Sequence, residues 1–222
     1  MAKDLVQRLD DARAAHPILE HPFYVAWAEG TLTKDDLEHY AGQYWRQVEA
    51  FPGYLGSLSE RLPAGSARDT VAENLADEID DDHPGLWLRF AEAVGVSERD
   101  VRASQVEPET RSCVQAFRDA AENRSLPYAL GMLYGYEAQT PAVAETKVKG
   151  LRDRYGIDGA ALDYFVLHGE LDVEHAAGLA RAIEEVAGDE EARADAEAGA
   201  RAGAAAVWTL LDGVARVRNI AC

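Results

Sequence analysis

The sequence has few cysteines and no long hydrophobic run, and each scarcity excludes a class of protein. Two cysteines, Cys113 and Cys222, are too few for a disulfide framework, and their spacing matches no metal-binding motif. No run of about 18 apolar residues exists, so no transmembrane helix is predicted. Residues 1–15 are charged and lack the apolar core of a secretion signal. We therefore expect a cytoplasmic protein in a reducing environment.

Basic residues are also scarce. Lys and Arg number 22 against 40 Asp and Glu, which gives a formal net charge of -18. Only four of them are lysines, at positions 3, 34, 147 and 149. Such a chain repels nucleic-acid phosphates and anionic lipid, so we expect neither nucleic acid nor membrane as a partner. The composition is typical both of proteins adapted to high salt and of acidic proteins from GC-rich genomes, and both interpretations stay open.

Helical periodicity dominates the rest of the sequence. Prolines and glycines divide it; for example, Gly30 ends one helix and Thr33 caps the next. No strand, repeat or linker is evident, so residues 1–222 are predicted to form one all-α domain. The segment 189–206, rich in Ala, Glu, Asp and Arg, is expected to be a solvated helix face. The predicted helices are 3–15, 23–29, 34–62 with a bend at Pro52, 66–80, 84–94, 109–123, 126–155, 159–186 and 190–217.

The most informative segment contains His168, Asp172 and His175, at positions i, i+4 and i+7 of a predicted helix. At ~100° per residue these side chains share one helical face. Two imidazoles and a carboxylate on one face can bind a metal ion. A solvent-facing polar stripe is the alternative, but Tyr164 and Phe165 indicate a buried helix, where unpaired Asp and His are costly.

Two other segments offer matching ligands. Glu137 lies in a strongly apolar helix and needs a partner, either a metal ion or an Arg or Tyr. Glu78 ends one predicted helix and His83 precedes the next, although His83 is alternatively a helix-entry residue. Three carboxylates and three imidazoles from these segments can serve two divalent ions, and the mixture of nitrogen and oxygen favours iron or manganese. Helical bundles commonly hold such dimetal carboxylate sites.

Several stretches of the sequence match motifs of a known family, and they precede His168, Asp172 and His175. These stretches are 21–24, 40–45, 74–78, 83–87 and 133–139. Together they resemble the haem-oxygenase-like dimetal oxidases, relatives of thiaminase-like and pyrroloquinoline-quinone-synthase proteins, over about residues 21–179. The resemblance implies a single-domain haem-oxygenase-like helical bundle that forms a homodimer, as is usual in the family. It also implies a site for two iron ions, or for one iron and one manganese. It further implies a non-haem oxygenase that consumes dioxygen.

One group within this family is implicated in making para-aminobenzoate for folate. There a tyrosine of the protein would supply the ring and a lysine the amino group, and Tyr24, Tyr40 and Lys147 stand at matching positions. Ordinary core tyrosines and a lysine on a helix surface are the alternative. Two other functions stay open: an oxidase of the same family that acts on an external small acid or amine, and a metal-free quinone-synthase-like protein.

The sequence departs from this resemblance at one point. Only four residues separate Glu78 from His83, whereas the group has a longer loop there. Asp77 or one of the acids at 80–82 is therefore an alternative first ligand. The pocket is expected to be lined by Tyr24, Trp27, Tyr44, Tyr136 and Phe165, with the histidines oriented by Glu170 and Glu174.

Overall fold

All regular structure in the described part of the chain is helical. The structure is a computed structural model and describes residues 4–221. Within that range there is no strand, which agrees with the predicted all-α fold. Lys3, where the first helix was predicted to begin, and Cys222 lie outside the described residues. The α-helices are α1 Leu5–Arg13, α2 Pro22–Glu29, α3 Lys34–Arg61, α4 Ser66–Asp80, α5 His83–Val94, α6 Glu98–Ala103, α7 Pro108–Asn123, α8 Leu126–Glu137, α9 Thr140–Tyr155, α10 Asp163–Val186 and α11 Glu190–Arg218, with 3-10 turns at Ile18–Glu20 and Gly159–Leu162.

The long helix α3 begins and continues much as its sequence predicts. Thr33 and Asp36 form a reciprocal capping box at its start, which satisfies two of the backbone N–H groups that a helix leaves unpaired. Gly30 ends α2 in the left-handed conformation, with a φ of 75°. Pro52 lies inside α3 and does not end it. These local signals place α3 along the centre of the fold, where it packs on α4, α5 and α7.

The segment predicted as one helix over 126–155 is two helices. The first, α8, ends at Glu137, and α9 begins at Thr140. Pro141 explains the break, because it has no N–H and its ring clashes with the carbonyl of residue i−4, which is Glu137. Gln139 lies in the break and donates its side-chain amide to the Gly135 carbonyl at 2.7 Å. The break leaves Glu137 at the end of a helix and pointing into the bundle.

The expectation of a solvated helix at 189–206 was wrong for one face of it. On that face α11 packs directly on α8, and glycines on both helices permit the approach. A Cβ on Gly135 would lie 2.1 Å from the Ala200 carbonyl oxygen, and a Cβ on Gly203 would lie 2.1 Å from that of Met132. Backbone therefore meets backbone along this crossing. The tight packing holds α8 in place and so positions its terminal Glu137.

Two further elements differ from the prediction. The short helix α6 was not predicted, although Ser97 caps it by accepting from the Asp100 N–H. Residues 159–162 form a 3-10 turn, so that α10 begins at Asp163 rather than at Gly159. No helix among the described residues is both long and apolar enough to span a bilayer.

Candidate metal centre

Three buried side chains from three helices converge in the interior. Glu78 lies at the end of α4, His83 at the start of α5 and His168 in α10, and their ligand atoms all lie within 4.8 Å of one another. Glu78 Oε2 is 2.9 Å from His83 Nδ1, and Glu78 Oε1 is 3.9 Å from His168 Nε2. The two imidazole rings are 4.5 Å apart between centroids. One carboxylate and two imidazoles in this arrangement can bind a divalent transition metal.

Several polar atoms of this cluster lack hydrogen-bond partners among the described residues and are suited to binding a metal ion. Neither ring nitrogen of His83 has a hydrogen-bond partner among the described residues, although Nδ1 lies 2.9 Å from Glu78. The contact is close but not aligned as a hydrogen bond. Asp172 Oδ2 is likewise buried without a partner in the described part of the chain. Each unsatisfied buried group costs about 1–3 kcal/mol, and a bound cation would remove that cost.

Glu137 and Asp172 line the same small cavity as Glu78 and His168. Glu137 is 1% exposed, and burial, with the added charge of Asp172, raises its pKa to about 8. Its hydrogen-bond partner is the Asn74 amide, at 2.9 and 3.2 Å from the two carboxylate oxygens, and not the Arg or Tyr considered from the sequence. A carboxylate held this way keeps lone pairs free to face the cavity.

His175 lies beside the cluster of Glu78, His83 and His168 and is not one of those three residues. Its Nδ1 lies 3.3 Å from Asp172 Oδ1, and its Nε2 lies 3.1 Å from Asp77 Oδ2. Burial lowers the pKa of His175, but the hydrogen bonds to Asp172 and Asp77 and the charge of Glu137 outweigh burial and raise it to about 9. All six side chains predicted as ligands thus form one contiguous cluster, and their ligand roles stay a prediction.

The acidic residues near the short α4–α5 connection differ in burial. Glu78 is buried and faces His83, whereas Asp80, Asp81 and Asp82 are exposed. Asp82 caps α5 by accepting from the Gly85 N–H at 3.2 Å. This arrangement favours Glu78 over the three aspartates as the first ligand.

The groups that contact the histidines differ from those expected. Glu170 and Glu174 are exposed on α10, so the expectation that they orient the histidines was wrong. His168 Nδ1 instead lies 2.7 Å from the Tyr164 carbonyl oxygen one turn earlier, and His175 contacts Asp77 on α4. The carbonyl contact follows from the i−4 spacing in a helix, but nothing local in the sequence indicates the contact with Asp77.

Lys147 lies in an aromatic pocket next to the candidate metal centre. Its side chain is 3% exposed, and Nζ donates to the Tyr40 hydroxyl at 2.6 Å. Nζ also lies 4.8 Å from the ring centre of Tyr44 and 5.6 Å from that of Tyr24. Lys147 forms no ion pair with any carboxylate in the described part of the chain, and burial lowers its pKa to about 7. The helix-surface alternative is wrong for Lys147, although it fits the exposed Lys149.

A second cavity adjoins Lys147 and reaches the candidate metal centre. Tyr24 and Lys147 line it, and His168, Tyr136 and Tyr164 line both this cavity and that of the carboxylates. Burial raises the pKa of Tyr24 and that of Tyr40, so both phenols stay protonated near neutral pH. Of the five pocket residues predicted from the sequence, Trp27 alone does not line this cavity; it packs edge-on against Tyr40 with ring centres 5.8 Å apart. The other four predicted pocket residues do line it: Tyr24, Tyr44, Tyr136 and Phe165.

Comparison with known proteins agrees with this combination of fold and site. The profile of a family described as iron-containing redox enzymes matches residues 38–208. A 4-aminobenzoate synthase of Nitrosomonas europaea is 35% identical over 220 residues, covering 94% of this chain and 89% of that protein. A 4-aminobenzoate synthase of Chlamydia trachomatis is 36% identical over 162 residues, covering 72% of this chain and 70% of that protein. This chain therefore belongs to the haem-oxygenase-like family of iron-containing redox enzymes.

The solved structures support the same fold. A protein of Shewanella denitrificans with a haem-oxygenase-like fold superposes with a TM-score of 0.83 at 17% identity, covering 99% of this chain and 95% of that one. At that identity the likeness bears on the fold alone. The prediction of a haem-oxygenase-like helical bundle is confirmed, as is the prediction of an oxidoreductase.

Proposed function

We propose that this protein is a dimetal oxygenase that makes 4-aminobenzoate from its own Tyr24 and Lys147. The names of the two relatives, which match most of this chain, support the product. The single observation that carries the proposal is the buried amine of Lys147, which donates to the Tyr40 hydroxyl and forms no ion pair in the described part of the chain. It lies among tyrosines, in a cavity that shares His168 with the candidate metal centre.

The chemistry of the product explains why these side chains suit it. A tyrosine side chain differs from 4-aminobenzoate in two places: a hydroxyl stands where the amine belongs, and a methylene joined to Cα stands where the carboxylate belongs. The conversion therefore needs a nitrogen donor whose nitrogen replaces the ring hydroxyl and whose own carbon–nitrogen bond breaks, together with cleavage of the Cα–Cβ bond and oxidation of Cβ. An amine that is desolvated to a pKa of about 7 carries a free lone pair in a large fraction of molecules at neutral pH and can act as that donor.

The two tyrosines are suited to different tasks. Tyr24 lines the cavity together with Lys147 and His168, so we assign it as the source of the ring. Tyr40 does not line that cavity, and its hydroxyl lies 2.6 Å from Nζ. Tyr40 accordingly holds the amine in place. The surrounding rings exclude water, which keeps Lys147 neutral and the reacting groups dry.

We propose that the six carboxylate and imidazole side chains hold two metal ions, both iron or one iron and one manganese. When bound, the metal supplies the redox chemistry with dioxygen, which the oxidation of Cβ requires. The buried, unpartnered atoms of His83 and Asp172 support this use of the cluster. Homodimer formation, a cytoplasmic location and use of the product for folate remain predictions. The six side chains are Glu78, His83, Glu137, His168, Asp172 and His175.

Isotope labelling tests the origin of the product. Protein made with ring-13C tyrosine and side-chain 15N lysine is purified and exposed to iron, a reductant and dioxygen. We expect 4-aminobenzoate that carries both labels, and a protein mass that reflects the loss of the hydroxybenzyl group at Tyr24 and of the amine nitrogen at Lys147. Lys147→Arg should abolish the product, whereas the matched variant Lys149→Arg at an exposed position should not.

The alternatives give different results in the same experiment. Unlabelled product with an unchanged protein mass would reject the self-modifying reaction. Turnover of an added small acid or amine by such intact protein would support the oxidase that acts on an external substrate. Absence of bound metal after loading with Fe(II) would instead support a metal-free, quinone-synthase-like protein.

A further inference from the structure

We propose that one face of α4 orients the metal centre, with Asn74 and Asp77 as positioning residues for ligands on other helices. The inference rests on the dimetal site proposed above. Asn74, Asp77 and Glu78 stand at i, i+3 and i+4, so their side chains share a face of α4. That face contributes one candidate ligand, Glu78. It also contributes the polar partners of two other candidate ligands, Glu137 and His175.

Asn74 fixes the carboxylate of Glu137. Its Nδ2 lies 2.9 Å from one oxygen and 3.2 Å from the other, so a single amide spans the carboxylate. Glu137 is the last residue of α8, at the break before α9, where a side chain is less constrained by the helix around it. Asn74 is itself buried, and its Oδ1 has no hydrogen-bond partner among the described residues, so the side-chain hydrogen bonds of Asn74 go to Glu137. The amide leaves the outer lone pairs of Glu137 directed into the cavity.

Asp77 fixes the ring of His175. Its Oδ2 lies 3.1 Å from Nε2, while Nδ1 of the same ring lies 3.3 Å from Asp172 Oδ1. Both partners are carboxylates, and a ring that binds a metal ion through one nitrogen keeps a single N–H, so it can donate to only one of them. Donation to Asp77 puts the lone pair of Nδ1 on the side of Asp172, where both atoms can share a cation. This is the carboxylate–histidine–metal arrangement, in which the outer acid sets the tautomer and the ring orientation.

Of the other two candidate histidines, His83 lies against Glu78 at 2.9 Å, and His168 takes its ring orientation from α10. His168 Nδ1 lies 2.7 Å from the Tyr164 carbonyl oxygen of its own helix, so α10 orients that ring by itself. The exposed acids of α10, Glu170 and Glu174, are not hydrogen-bonded to either histidine of their helix. Among the described residues, α4 is therefore the element whose side chains orient Glu137 and His175.

Metal affinity tests the role of Asp77 without any need for turnover. The metal-free protein and its variants are titrated with Mn(II), and with Fe(II) under anaerobic conditions, against a chromophoric chelator. Outer partners of metal ligands typically contribute about 10–100-fold in affinity, so we expect a loss of that size for Asp77→Ala. Asp77→Asn keeps an acceptor oxygen and should retain most of the affinity. Glu73→Ala removes an exposed acid from the same helix and should change affinity less than about twofold.

The design separates failure of this inference from failure of the proposed function. A wild-type protein that binds no metal would reject the dimetal site. A wild-type protein that binds metal while Asp77→Ala binds equally well, or while Glu73→Ala loses as much, would reject the positioning role alone. The Asp77 side chain is 44% exposed, so its removal opens no buried void, and thermal unfolding of the metal-free variants checks that the fold persists.

Asn74→Ala provides a second, independent measurement. We expect a loss of affinity of similar size, about 10–100-fold, because Glu137 would no longer be held by the amide. Asn74 is buried, so this variant is interpreted only if its thermal unfolding stays close to that of the wild type; if it does not fold, Asp77→Ala carries the test. A folded Asn74→Ala protein with unchanged metal affinity would remove Asn74 from the proposal.

Discussion

Lys147→Met should stabilise the fold at neutral pH, and the gain should shrink as the pH rises. Burial lowers the pKa of Lys147 from 10.5 to about 7 in the folded protein. Between these values the unfolded chain binds the proton and the folded chain does not, so the wild type becomes more stable with rising pH. The full difference of 3.5 units corresponds to ~5 kcal/mol, at 1.36 kcal/mol for each unit. The destabilisation by Lys147 is absent above about pH 10.5, grows as the pH falls towards about 7, and is complete below that value.

Chemical denaturation of the metal-free proteins at several pH values measures this difference. Between pH 7 and pH 9 we expect the free energy of unfolding of the wild type to gain ~2 kcal/mol on that of Lys147→Met. Other titrating groups are common to both proteins and cancel in the comparison. Lys149→Met, at an exposed lysine on the same helix, should show no such trend. A flat difference across this range would refute the argument, because it would mean that Lys147 keeps an ordinary pKa.

Three other changes test the packing and the site. Gly135→Ala should destabilise the fold by about 1–3 kcal/mol in denaturation experiments, since its Cβ would lie 2.1 Å from the Ala200 carbonyl oxygen. Gly53→Ala, in a helix with no other atom within 4 Å of the new methyl, should instead stabilise it by about 0.5–1 kcal/mol; equal effects of the two would contradict the close crossing. His168→Ala should abolish iron loading, measured by elemental analysis, and full iron occupancy in this variant would reject its assignment as a ligand.

Features set by a single helix were predicted well from the sequence. The spacing of His168, Asp172 and His175 was enough to put them on one face, and the surrounding apolar residues indicated that this face is buried. The same holds for Glu137, whose apolar neighbours indicated burial. The break after Glu137 was also signalled, by Pro141, but the segment was interpreted as one helix because apolar residues continue across it.

Features set by contacts between distant segments were not predicted. Asn74 reaches Glu137 across 63 residues of sequence, and His175 reaches Asp77 across 98. Nothing in the local pattern of α4 distinguishes Asp77 from the other acids around it. The crossing of α8 and α11 did leave a signal, namely glycines four residues apart on each helix. That signal was outweighed by the polar composition of residues 189–206, which suggested a solvated helix face.

The two halves of the site have opposite electrostatic demands, and the fold satisfies both within one core. The carboxylates of Glu78, Glu137 and Asp172 favour cations, as the unpartnered oxygen of Asp172 indicates. The described residues that line the pocket of Lys147 include no carboxylate, and burial there disfavours even the cation of its own lysine. His168 lines both cavities. Positive charge bound by the carboxylates would repel an ammonium at Lys147 and lower its pKa further, so the filled metal site would favour the neutral amine that nitrogen transfer requires.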